Sequence, residues 1–268
     1  MQLLQRAALR TNESVTEYVV LVAANANNLL LWVHRDLQAA GGLAERAGAE
    51  NGAVLVACHP VTLSRTGTTS YTWRMSRSVE ICMITTLDGA IDVNGRSQPL
   101  GGPADQKRLI GLRALSSVVV VGAGTMRTEN YGVPSKPGLR IGVVTLSCNL
   151  DFSAPLFASG SGFIITTTDA PDVPVDSIRA GVGRIDFAEV IAQLPEGMIH
   201  VEGGPQLNAA LFDADVVDAI NLTWSPRLTG SRGPSLSAAP HVMQRFTLAS
   251  VKTEEEFVFA RYERINNA

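Results

Sequence analysis

Across the last two thirds of the chain, apolar residues fall into short runs whose spacing separates strands from helices. Residues 79–85, 117–121, 141–146, 162–166, 198–201 and 219–224 are compact apolar or β-branched stretches ending at glycine or small polar residues, which predicts strands. Residues 104–115, 188–194 and 206–212 fall between them and read as helices, with Pro103 near the first turn of the earliest, where its fixed φ is accommodated. Residues 246–251 and 257–262 alternate as a closing antiparallel pair. Strands alternating with helices and ending in a hairpin predict an α/β sheet, mostly parallel with an antiparallel edge.

The first 76 residues have a different texture. Residues 29–46 have near-helical apolar spacing, 53–58 suit a short strand, and 48–52 and 64–70 read as loops. No chemical constellation stands out there. The expectation is a loosely packed N-terminal extension (1–76) ahead of a globular domain (77–268), with Met75 as a sensible alternative start.

Composition narrows the functional classes. A chain of 268 residues, 46% hydrophobic and 18% charged, can bury a substantial core. Its net charge of −3 gives no basic surplus for nucleic acid or an anionic membrane surface. The apolar stretch 18–33 is interrupted by Asn25, Asn27 and Asn28, so neither a signal peptide nor a membrane span is expected. Cys58, Cys82 and Cys148 lack CxxC spacing, which argues against a zinc site or disulfide framework and fits a reducing cytoplasm.

The chemistry gathers at two glycine turns. Glu202-Gly203-Gly204-Pro205 links a strand to a helix, and Val121-Gly122-Ala123-Gly124-Thr125 follows the most apolar strand. Glycines at such corners let a phosphate approach the backbone, and the opening amides of a helix supply free donors. The second turn lacks the third glycine of a Rossmann fingerprint. Two corners at the ends of two strands, with Ser147 and Thr167 after two more, suggest a long phosphorylated ligand across the carboxyl edge of the sheet. Glu202 is costly to bury unless paired or used. Asp88 has a bland reading as a turn former, Asp105 as a charge in a helix's first turn, Arg127 and Glu129 as a mutual pair, and His200 as a satisfied core residue.

As an ordered set, Thr86-Leu87-Asp88-Gly89, then Gly122-Ala123-Gly124-Thr125-x-Arg127-x-Glu129-x-Tyr131-Gly132, then Thr145-x-Ser147, Glu202-Gly203-Gly204-Pro205, and Ser225-Pro226 with Gly230 resembles the reductase domain of bacterial riboflavin biosynthesis. The resemblance implies a dihydrofolate-reductase-like three-layer α/β sandwich with a mostly parallel central sheet and an antiparallel C-terminal hairpin. No His-x-Glu is followed by the Pro-Cys-x-x-Cys of the deaminase often fused to this domain, so a free-standing reductase is expected.

The resemblance also implies NADPH as cofactor. Its pyrophosphate and nicotinamide ribose would lie against Gly122, Ala123, Gly124, Thr125, Glu202, Gly203, Gly204 and Pro205, its 2′-phosphate near Thr145 and Ser147, and its adenine near Thr166. No arginine for that phosphate can be named. Thr86, Asp88, Asp105 and Arg127 would meet the substrate, a ribosylamino-pyrimidine reduced at C1′, and Glu202, Asp105 and Glu129, in that order, are the candidate proton donors. A homodimer is implied. Cys82 departs from the Lys or Asn carried there by many of these reductases. The readings are thus a pyrimidine reductase, a surrogate dihydrofolate reductase, or a nucleotide-binding paralogue without turnover, the last favoured by Cys82.

Overall fold

The computed structural model describes residues 77–230, 233–238 and 243–265, together with the backbone of three strands upstream of them. Met1–Ser76 and Arg77–Ala268 form two compact units.

In the first unit β1 (Thr16–Asn25), β2 (Asn28–His34) and β3 (Val54–Thr62) make an antiparallel sheet in the order β2-β1-β3. The helix expected over 29–46 is corrected for its opening residues, which are β2; residues 35–46 lie outside the described part. Leu29 to Val33 are apolar without interruption, a run that satisfies both periods, and pairing with the β-branched β1 decides for strand.

The second unit is built on a nine-stranded sheet, β11-β12-β10-β4-β9-β5-β6-β7-β8. Seven strands run parallel: β4 (Ser78–Thr85), β5 (Val118–Gly122), β6 (Ile141–Val144), β7 (Gly162–Thr166), β8 (Ser177–Arg179), β9 (Met198–Val201) and β10 (Ala219–Trp224). The hairpin of β11 (Phe246–Glu254) and β12 (Phe257–Arg264) closes one side antiparallel, as its alternation predicts. Five helices follow strands or loops: α1 (Pro103–Leu115), α2 (Ala123–Thr128), α3 (Pro155–Ala158), α4 (Phe187–Gln193) and α5 (Pro205–Asp213). The three-residue β8 and the single-turn α3 are too short to leave a periodic signal.

The two faces of the sheet differ. Val79, Ile81, Val118, Val120, Ile199 and Val201 pack with residues of α4 and α5 in the larger core. On the other face Val119, Val121, Ile141 and Val143 meet Met126 of α2 and Leu156 and Phe157 of α3. Toward β4 and β10 that second face turns polar, because Glu80, Asn221 and His200 occupy inward positions of central strands and are buried. Helix α1 lies over this polar sector, and only Ala104 of its residues is fully buried. Arg108 bonds Asn221 Oδ1 and the carbonyls of Leu222 and Ala260, and stacks over Phe259. Hydrogen bonds and a cation–π contact from Arg108, rather than an apolar stripe, therefore seat the helix.

Candidate functional site

The site begins where β5 and β9 end. They are adjacent and parallel, so the turns that follow them leave the sheet side by side. The Gly122 amide donates to the Gly203 carbonyl at 2.7 Å, joining two corners eighty-one positions apart in the chain. A Cβ on Gly204 would lie 2.8 Å from Thr125 Oγ1, and one on Gly203, whose φ is +70°, would lie 2.8 Å from Met83 Sδ. The left-handed backbone at Gly203 disfavours a side chain there, and one at Gly204 would need Thr125 to move. A Cβ on Gly124 would meet nothing within 4 Å, so that glycine faces open space. Gly122 and Gly204 serve as N-caps of α2 and α5, and Ala123, expected in a turn, is the first helical residue. The first amides of both helices therefore open onto one edge, an arrangement that suits a pyrophosphate.

Glu202, between β9 and the corner, is enclosed by a network. Arg113 of α1 donates to it from Nε and Nη2, both at 2.6 Å, the Tyr131 hydroxyl donates to Oε2, and His200 Nε2 is 3.2 Å from Oε1. Burial alone would raise this carboxyl's pKa; the bidentate hydrogen bonds and charge of Arg113, with His200 close by, outweigh it and hold Glu202 far below the usual carboxylate range. That corrects its place at the head of the proton donors, since a carboxylate held ionised by a bidentate guanidinium has no proton to give. Sequence reasoning gives no role to Arg113, since a lone Arg in a helix carries no local pattern, and none to Tyr131, although it stands inside the motif that carries the resemblance. His200 is not the satisfied core residue expected: among the described residues neither ring nitrogen makes a hydrogen bond, Nε2 only lying close to Glu202.

The other carboxyls divide by environment. Asp105, half-buried on α1, has its pKa raised by burial, against a hydrogen bond from Thr223 and the charge of Arg108. Glu129 is a loop clamp: its Oε1 accepts the Ser97 amide at 2.6 Å, and Arg127 turns away to the Asn149 carbonyl, so the expected pair does not form. Asp88 accepts from the Thr86 hydroxyl and from the amides of Thr229 and Gly230, which lowers it to about 2, with the Thr86 bond the largest cause. Thr86 also accepts the Ala90 amide, so both residues hold the 86–90 turn and tie it to the 229–230 turn. This favours the bland reading of Asp88.

Cys82 projects from β4 toward Asp105, Arg108 and Arg113, and burial pushes its thiol up to about 12. A neutral group therefore lies on the sheet among charged ones. After β6, Thr145 is buried and receives the Cys148 amide, whereas Ser147 is exposed. Thr166 is fully buried with its hydroxyl 3.7 Å from Cys148 Sγ, which corrects the expectation of contact with adenine. Among the described residues no group of three His, Cys, Asp or Glu side chains is arranged to hold a metal, and no helix is long and apolar enough to cross a membrane.

Fold and site together define an α/β protein with a mostly parallel sheet, an antiparallel C-terminal hairpin and paired glycine corners at the carboxyl edge of the sheet. Residues 77–258 match the RibD C-terminal domain, and the chain belongs to that family. It is 26% identical over 213 residues to the riboflavin biosynthesis protein RibD of Chlamydia trachomatis, covering 67% of this chain and 56% of that relative. The chain thus spans little more than half the length of the curated relative it matches. A pyrimidine reductase-like protein from Corynebacterium diphtheriae superposes with a TM-score of 0.61 at 23% identity, over 71% of this chain and 92% of the other. The riboflavin biosynthesis reductase Rib7 of Saccharomyces cerevisiae gives 0.56 at 18% identity, over 74% and 94%.

Proposed function

We propose that this chain is an NADPH-dependent pyrimidine reductase acting in riboflavin biosynthesis on a ribosylamino-pyrimidine, most specifically 5-amino-6-(5-phosphoribosylamino)uracil. The single observation that carries this reading is the meeting of the two glycine corners, with the Gly122 amide on the Gly203 carbonyl. The cradle fits a dinucleotide: Gly203 has a left-handed backbone, Gly204 has room only for a hydrogen beside Thr125 as that side chain stands, Gly124 faces open space, and α2 and α5 both start at the paired corners. Gly122, Ala123, Gly124, Thr125, Gly203, Gly204 and Pro205 would hold the cofactor, which when bound supplies hydride for C1′.

The chain's own residues divide the remaining tasks. Glu202, kept ionised by Arg113, is a fixed negative charge next to the corner and can accept hydrogen bonds from substrate hydroxyls. Asp105 is the carboxyl suited to hold a proton, because burial has already shifted it toward the neutral form and an incoming heterocycle would extend that desolvation. Of the three candidate donors it is the one that keeps the role. An acid must be protonated to act, so kcat/KM should fall as pH rises through the raised pKa of Asp105. Asp105→Asn should abolish that limb and lower kcat by about 10²–10⁴; an unchanged profile would move the role elsewhere.

The test of the whole reading is titration with NADPH, followed by turnover on the ribosylamino-pyrimidine phosphate and on dihydrofolate. Oxidation of NADPH with the first substrate supports the proposal, and oxidation only with the second indicates a surrogate dihydrofolate reductase. Binding without turnover on either would make the chain a nucleotide-binding paralogue. A homodimer in the cytoplasm is the expected setting.

A further inference from the structure

The last turn of α2 and the loop after β6 enclose a cleft of about 470 Å³, lined by Arg127, Asn130, Tyr131, Ser147, Asn149 and Asp151 among others. It lies at the same carboxyl edge as the glycine corner: Gly122 of β5 pairs in register with Val144 of β6, and Ser147 follows three residues later. Arg127 lies one helical turn beyond Ala123, about 6 Å along the axis at 1.5 Å per residue.

Among the described residues Arg127 makes one hydrogen bond, from Nη1 to the Asn149 carbonyl at 3.3 Å, leaving most of its planar fork of donors uncommitted. Ser147 Oγ accepts the Asn149 amide at 3.3 Å, which leaves its own proton to donate. Farther along the same edge, Arg179 at the end of β8 is engaged by the carbonyls of Thr167, Ala170 and Pro171, and Arg184 is exposed in the loop that follows, beyond β7 and β8 from the cleft.

We infer that Arg127 and Ser147 together bind a phosphate monoester on the ribose of an adenine nucleotide, and that Arg127 is the residue setting preference for NADPH over NADH. This rests on the dinucleotide reading above. A ligand whose pyrophosphate occupies the corner between β5 and β9 runs its adenosine along the sheet edge past β6, toward the cleft. A phosphate dianion there meets a guanidinium fork and a hydroxyl donor. NADH offers only a neutral 2′-hydroxyl, so Arg127 contributes little to it. Asp151 lines the same cleft, but its carboxylate is engaged by the Ser153 hydroxyl and amide, at 2.6 and 2.9 Å. It opposes the phosphate and tempers the preference.

The test is calorimetric titration of the full chain with NADPH, NADH, 2′,5′-ADP and 5′-AMP. Arg127→Gln should weaken NADPH and 2′,5′-ADP by on the order of tenfold to a hundredfold and leave NADH and 5′-AMP unchanged. Ser147→Ala should act in the same direction with smaller effect, and Asp151→Asn should tighten NADPH alone. Arg127→Lys, which keeps the charge without the fork, should fall between wild type and Arg127→Gln. The inference is overturned if wild type binds NADPH yet Arg127→Gln retains its NADPH/NADH ratio, if both dinucleotides weaken equally, or if Arg184→Gln removes the ratio instead. Wild type that binds neither dinucleotide would overturn the dinucleotide reading itself, and this inference with it.

Discussion

Replacing Arg113 with Met would cut the charge network at its main cation while keeping most of the aliphatic stem. In the folded protein Glu202 has a side chain only 5% exposed and Arg113 one 29% exposed, so solvent screens the pair little. Removing one member of a buried pair strands the other, at a cost of about 3–5 kcal/mol. The Tyr131 hydroxyl and His200 remain beside Glu202, so the lower end, about 3 kcal/mol, is expected for Arg113→Met. That is a large share of the roughly 5–15 kcal/mol by which domains are stable. The Arg113→Met/Glu202→Gln double variant should recover part of the loss, because it buries no unpaired charge.

Acid supplies a second, opposite signature. In the wild type the pKa of Glu202 is depressed, so its contribution is fully present above the unfolded value of about 4.3 and disappears only as pH falls through the lower folded value. In Arg113→Met burial loses its main opponent and the folded pKa rises above the unfolded one. Glu202 then destabilises at neutral pH, and the deficit shrinks on acidification. Urea melts followed by circular dichroism at pH 7 and pH 5 measure both effects. A deficit under about 1 kcal/mol at pH 7, or one that stays constant between the two pH values, would refute the claim that Arg113 is what allows Glu202 to be buried ionised.

Gly203→Ala should destabilise by roughly 1–3 kcal/mol and abolish nucleotide binding, since the new Cβ meets Met83 Sδ at 2.8 Å from a left-handed backbone; a melt and a titration on the same sample check both. Thr166→Val should leave NADPH affinity within about twofold, because the hydroxyl is enclosed beside Cys148, and a loss above tenfold would restore an adenine role for Thr166. A fragment of residues 77–268 should fold and titrate with NADPH as the full chain does, since that unit contains both glycine corners; absence of binding in a folded fragment would make the first 76 residues part of the site.

Local pattern alone determined the order and type of most elements between β4 and β12, with the short α2, α3 and β8 as the exceptions. A strand buried on both faces must be continuously apolar, and a glycine pair or a proline must mark where it turns, and both are visible in adjacent residues. The same signals marked the two glycine corners as important. That they touch followed from strand order, since β9 inserts between β4 and β5, and insertion of a later strand into an earlier pair leaves no trace in sequence spacing. The role of each carboxyl was likewise decided in three dimensions. Glu202, Asp105 and Glu129 are alike as letters, but one met an arginine from α1, one a threonine across the sheet and one a backbone amide. Electrostatic character depends on what lies within a few ångströms, and for these residues the partners that matter are 32 to 118 positions away in the chain.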